Sequence, residues 1–172
     1  WNLFLYLACL RAGIVYVPLN PDFKPAEAMP ILSDVEAAVI VCDARVAGDA
    51  RALAAGTPTR VLTLNADGTG SLADLPAGDC HPDGTVSKDD AAAIIFTSGT
   101  TGRPKGAVMP HGHLAQKARA LVQALGWQPS DRLLHAMPLH HAHGLFMTTH
   151  CVLCVGASML LAKRFEAGEV VA

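Results

Sequence analysis

Residues 91–106 constrain the fold more than any other stretch. An uninterrupted apolar run, Ala91-Ala92-Ala93-Ile94-Ile95-Phe96, leads straight into Thr97-Ser98-Gly99-Thr100-Thr101-Gly102-Arg103-Pro104-Lys105-Gly106. A short apolar run closed by turn residues predicts a buried strand. The string that follows holds three glycines, four hydroxyls and one lysine. Glycine lets backbone N–H groups approach an anion closely. Serine and threonine hydroxyls add donors to phosphate oxygens. Lys105 brings a mobile positive charge. The sequence therefore predicts a strand that delivers a phosphate cradle. A polar turn between two strands would need only two to four such residues. The common P-loop is excluded, because Lys105 is followed by Gly106 rather than Ser or Thr, and Pro104 prevents a helix from starting inside the loop.

Around this centre the pattern alternates. Helices are predicted over Leu3–Ala12, Pro25–Val35, Ala44–Ala55, His113–Leu125 and Gly144–Val155, with a further one from Glu166 onward. Strands are predicted at Ile14–Leu19, Ala38–Cys42, Arg60–Leu64, 91–96, Gly106–Met109, Arg132–Met137 and Ser158–Ala162. Such alternation gives an α/β fold with mainly parallel strands flanked by helices. Residues 65–90 are rich in Gly, Asp, Pro and Ser and read as a surface linker that could separate two subdomains.

Composition narrows the function. The chain has 172 residues, 51% apolar, enough for one domain with a core. A net charge of −2 gives no electrostatic case for nucleic acid. The longest apolar stretches fall short of a membrane span. Leu3–Leu10 has neither a basic segment before it nor a small-residue cleavage site after it, so it reads as a buried helix. Five cysteines without a secretion signal point to a reducing, cytoplasmic setting. Cys151 and Cys154, beside His150, lack the second ligand pair a metal site needs, so no metal ligand is assigned. The chain opens at Trp1 and closes at Ala172 inside apparent helices, and is expected to be part of a longer protein.

A second cluster, Pro138-Leu139-His140-His141-Ala142-His143-Gly144-Leu145, follows a predicted strand and precedes a helix. Ligand sites in open α/β sheets lie beyond the carboxyl ends of strands. These histidines could bind a metal, move protons or shape a pocket. Their spacing is not that of a helical zinc motif, which sets two histidines four apart. His141 is the strongest candidate, and the roles of His135, His140 and His150 stay open.

The string 97–106 resembles the signature of the adenylate-forming superfamily: acyl-CoA synthetases, luciferases and peptide-synthetase adenylation domains. The histidine segment is similar to the Pro-x-x-His region that follows that loop in members of the superfamily. Together with residues 7–20 and Val41-Cys42-Asp43, the run Leu134–Leu145 resembles the malonyl-CoA synthetase branch.

This resemblance implies part of a large AMP-binding N-terminal domain over 1–172, with the C-terminal lid domain outside the chain. It implies an AMP-forming acid–thiol ligase. A carboxylate attacks the α-phosphorus of ATP, pyrophosphate leaves, and coenzyme A displaces AMP to give a thioester. Malonate or a similar small dicarboxylate is the implied acid. Thr97, Ser98, Gly99, Thr100, Thr101, Gly102 and Lys105 would hold the phosphates, with Lys105 offsetting charge as pyrophosphate departs. His141 would line the carboxylate pocket, with His143 beside it. Mg2+ would accompany ATP, its ligand lying downstream, and the chain by itself is expected to be inactive. A fatty acyl-CoA synthetase, a peptide-synthetase adenylation domain and a non-catalytic nucleotide-binding module remain as alternatives.

Overall fold

The computed structural model describes residues 1–76, 86–97, 104–162 and 164–168. Its contacts divide it into two compact units. One comprises Trp1–Leu5, Leu19–Pro82 and Phe96–Ala107; the other comprises Tyr6–Pro18, Asp83–Ile95 and Val108–Ala172. The architecture is α/β, as the alternation predicts.

The helix α1 spans Asn2–Ala12. In the first unit, α2 (Pro25–Val35) starts with Pro25 in its first turn, where a missing N–H costs nothing, and Glu27 Oε2 accepts from Lys24 N at 2.8 Å. It buries Ala28 and Ile31, three apart on one face. The strand β1 (Val39–Cys42) leads through a 3₁₀ turn (Ala44–Val46) into α3 (Ala47–Ala54) and on to β2 (Arg60–Thr63). The predicted single helix Ala44–Ala55 is thus broken. Asp43 Oδ1 takes the Arg45 N–H at 2.9 Å and tightens the first turn. β1 and β2 pair in parallel, from Val39 opposite Arg60 to Cys42 opposite Thr63. α3 packs back on both strands and on α2, burying Ala47 and Ala50.

The expected linker after β2 is ordered in its first part. Thr63 N donates to Ser71 Oγ at 2.9 Å, Leu72 N to Thr63 O at 3.0 Å and Asn65 N to Thr69 O at 2.8 Å, so residues 65–75 fold back on β2. Here Gly68 lies under the Trp1 indole with φ +87°; a Cβ would stand 2.8 Å from Trp1 Cζ2. Further along the linker, 77–85 lie outside the described residues, and 86–90 hold a turn in which Ser87 N donates to Asp90 Oδ2 at 2.8 Å.

Strands β3 (Ala91–Thr97) and β4 (Lys105–Pro110) are hydrogen-bonded neighbours. β3 buries Ala92 and Ala93 completely. The predicted strand Ile14–Leu19 reduces to one parallel bridge, Tyr16 with Ala93, in which Tyr16 N donates to Ala92 O and Ile94 N to Tyr16 O, each at 3.0 Å. Pro18 has no N–H to carry the ladder further.

In the second unit, β4 runs into α4 (His111–Leu125), which buries Leu114 and Ala118 one turn apart and packs on α5 (Thr149–Val155). β5 (Arg132–His135) and β6 (Ser158–Leu161) pair in parallel from Arg132 opposite Ser158 to His135 opposite Leu161. Their crossover runs through α5, as a parallel pair requires. The predicted helix Gly144–Val155 has two parts: a π-helix over His143–Thr148, then α5. The predicted closing helix has only its first residues among those described. No described helix is long and apolar enough to cross a membrane.

Candidate active site

Both sequence-predicted segments leave the carboxyl ends of strands, where open α/β sheets place ligands. Thr97 closes β3 and Lys105 opens β4, both exposed to solvent, so these strands fix the two ends of the Gly/Ser/Thr string. Ser98, Gly99, Thr100, Thr101 and Gly102 lie outside the described residues.

The histidine segment follows β5. His141 and His143 are exposed, and His140 is half-buried. The His140 and His141 rings stand 4.3 Å apart at 52°. His141 N donates to Pro138 O at 3.3 Å, and Leu145 N to His141 O at 3.0 Å. The backbone therefore turns twice within the segment and holds His141 between a tight turn and the start of the π-helix. Thr97 and Lys105 belong to the first unit and the histidines to the second.

The second unit also holds two polar contacts that the sequence did not single out. His135, at the end of β5 and 2% exposed, is 2.8 Å through Nε2 from the carbonyl oxygen of Gly144. A carbonyl only accepts, so Nε2 carries the proton. His135 Nδ1 is buried without a hydrogen-bond partner among the described residues. Thr149 Oγ1, fully buried, donates to the same Gly144 oxygen at 2.9 Å. Gly144 itself leaves no room for a side chain: a Cβ would stand 2.5 Å from Pro138 O and 3.2 Å from Met137 Cβ. A π-turn lengthens the helical repeat locally and is frequent at functional sites.

The second contact joins Tyr6 to His150. The Tyr6 hydroxyl is 2.8 Å from His150 Nε2, and their rings stack at 12°. Tyr16 and Phe146 pack against Tyr6 from other sides. Burial pushes the His150 pKa down, and burial, with Tyr16 adding to it, pushes the Tyr6 phenol well above its usual range. Cys151 is buried while Cys154 is exposed, so the Cys-x-x-Cys pair does not face one way. Among the described residues no three His, Cys, Asp or Glu side chains gather as a metal site would need.

Sequence could have flagged His135 only as one more histidine at a strand end. What singles it out is the return of the chain at Gly144, which is a tertiary fact. Tyr6 lies 144 positions from His150, and nothing local links them.

Comparison with known proteins places the chain. Residues 2–171 match the family described as AMP-binding enzyme. The mitochondrial malonate–CoA ligase of Xenopus laevis is 34% identical over 168 residues, covering 93% of this chain and 28% of the ligase. A feruloyl-CoA synthase from an Amycolatopsis species is 36% identical over 163 residues, covering 95% of this chain and 32% of the synthase. Among solved structures, ATP-bound MatB from Rhodopseudomonas palustris superposes with a TM-score of 0.91 at 39% identity, over 99% of this chain and 34% of MatB. The chain thus spans about a third of the length of these relatives. It has the fold of the corresponding part of MatB, and it belongs to the AMP-binding enzyme family.

Proposed function

We propose that the protein carrying this chain is an AMP-forming acyl-CoA ligase acting on malonate or a similar small dicarboxylate. The observation that carries this reading is the family match over residues 2–171, combined with a Gly/Ser/Thr/Lys string set between the ends of β3 and β4. In-line attack of a carboxylate on the α-phosphorus asks the protein mainly for positioning and charge stabilisation. Lys105 and the hydroxyl of Thr97, with the string between them, suit the β- and γ-phosphates and the departing pyrophosphate. The exposed His141, with His143 beside it, suits a pocket for the reacting carboxylate. We read residues 1–172 as the front part of the AMP-binding domain. ATP and coenzyme A are then co-substrates. Mg2+ would accompany ATP, and the described residues offer no cluster to hold it. A reducing compartment fits the free thiols of Cys9, Cys42, Cys151 and Cys154.

The identity to a feruloyl-CoA synthase favours one second reading, an aromatic acid as substrate. ATP–pyrophosphate exchange by the full-length protein with malonate, methylmalonate, acetate, octanoate and ferulate separates the two. Exchange with malonate supports the dicarboxylate; exchange with ferulate alone replaces it. Exchange with none of the five removes the ligase reading for these acids.

A further inference from the structure

Two buried polar side chains, His135 and Thr149, spend their donors on one oxygen, the carbonyl of Gly144. His135 ends β5, and Gly144 sits one residue into the π-helix. The bond between them therefore closes residues 136–143 into a loop, and that loop carries His140, His141 and His143. Its second fastening is steric, since Gly144 lies too close to the Pro138 carbonyl for any Cβ.

His135 is a poor choice if stability were its only purpose. Its Nδ1 is buried with no partner among the described residues, and an unpaired buried acceptor carries a desolvation penalty. A leucine or methionine would fill similar space without it. Thr149 already satisfies the Gly144 carbonyl. What His135 adds is direction: an imidazole held in its Nε2–H tautomer ties the last residue of a strand to the first turn of a helix. Loops that present reacting groups need this kind of support, because an error of about 1 Å can cost a hundredfold in rate.

We propose that His135 is a positioning residue, whose Nε2–H bond to the Gly144 carbonyl sets the placement of His141 for the carboxylate substrate. The inference rests on the ligase reading above. Its test is ATP–pyrophosphate exchange by the full-length protein, with whichever acid of the five drives it best. Glutamine places an amide nitrogen near the position of Nε2; asparagine places one near Nδ1 and does not reach Gly144. His135→Gln is expected to keep activity within about threefold, and His135→Asn and His135→Leu to lower kcat/KM for the acid about tenfold, as much as loss of the His141 side chain itself. The loss should fall on the acid, with KM for ATP unchanged. In a His141→Ala background, His135→Asn should add no further loss.

Equal activity of the Gln and Asn variants would overturn the proposal, as would a parallel rise in KM for ATP or full additivity with His141→Ala. Should His135→Leu fail to fold, the Gln and Asn pair still decides. A wild-type protein that exchanges with none of the acids sinks the ligase reading itself, a result distinct from any of these.

Discussion

Lys105 opens β4 and is exposed to solvent, and we propose it for the charge of the departing pyrophosphate. Removing a donor that stabilises charge in a transition state costs on the order of 100- to 1,000-fold in rate. Lys105→Ala should therefore slow ATP–pyrophosphate exchange in the full-length protein by that order; unchanged exchange would sink its proposed role. His141 makes a different prediction. If it lines the carboxylate pocket, His141→Ala should raise KM for the acid about tenfold, close to one lost hydrogen bond of about 1.4 kcal/mol, and leave KM for ATP alone. Gly144 is tested by denaturation. A methyl group there meets the Pro138 carbonyl at 2.5 Å, so Gly144→Ala should cost about 1–3 kcal/mol in unfolding free energy, read from the urea midpoint. His150 gives a pH signature. Burial holds its folded pKa below the ordinary 6.5. Above that value His150 is neutral folded or unfolded and contributes full stability. As pH falls below it, the unfolded chain takes up the proton first, and stability declines until the folded His150 is protonated too. Urea midpoints at about pH 7.5 and about pH 5.5 should differ less for His150→Gln than for the wild type.

At the scale of elements, much was legible in sequence where a local cause sets the boundary. Pro25 and the Glu27 bond begin α2, and the apolar run 91–96 is β3. Legibility failed where distant groups intervene. Ile14–Leu19 has the β-branched residues of a strand, yet only Tyr16 finds a partner, in Ala93. The helix over 144–155 carries a correct apolar pattern, but pattern does not report a π-turn at His143–Thr148. That turn goes with a carbonyl held from outside the helix by His135, which no periodicity in the helix can encode. The candidate site divides along the same line. Residue types and spacing nominated Thr97, Lys105 and His141. The buried groups of the second unit, His135, Thr149 and the Tyr6–His150 pair, needed the chain to be folded before their contacts could be seen.

Across the whole molecule, many large apolar side chains face solvent. Phe4 is 66% exposed, Leu125 68%, Leu160 63% and Phe165 64%. In the parallel register Leu134 stands opposite Leu160, and both are exposed, so part of the β5–β6 pair presents an apolar face. Faces of this kind lower the solubility of a free chain. Residues 1–172 expressed alone should associate, visible as a concentration-dependent rise in light scattering, and the full-length protein should not. The two tryptophans divide between the units, Trp1 over Gly68 in the first and Trp127 in the second. Nature has thus supplied one intrinsic fluorophore for each unit. Trp1→Phe and Trp127→Phe variants convert the emission of a single sample into two separate melting records. Coincident transitions would mean that the units unfold as one cooperative body, and a gap between them would measure how far each stands alone.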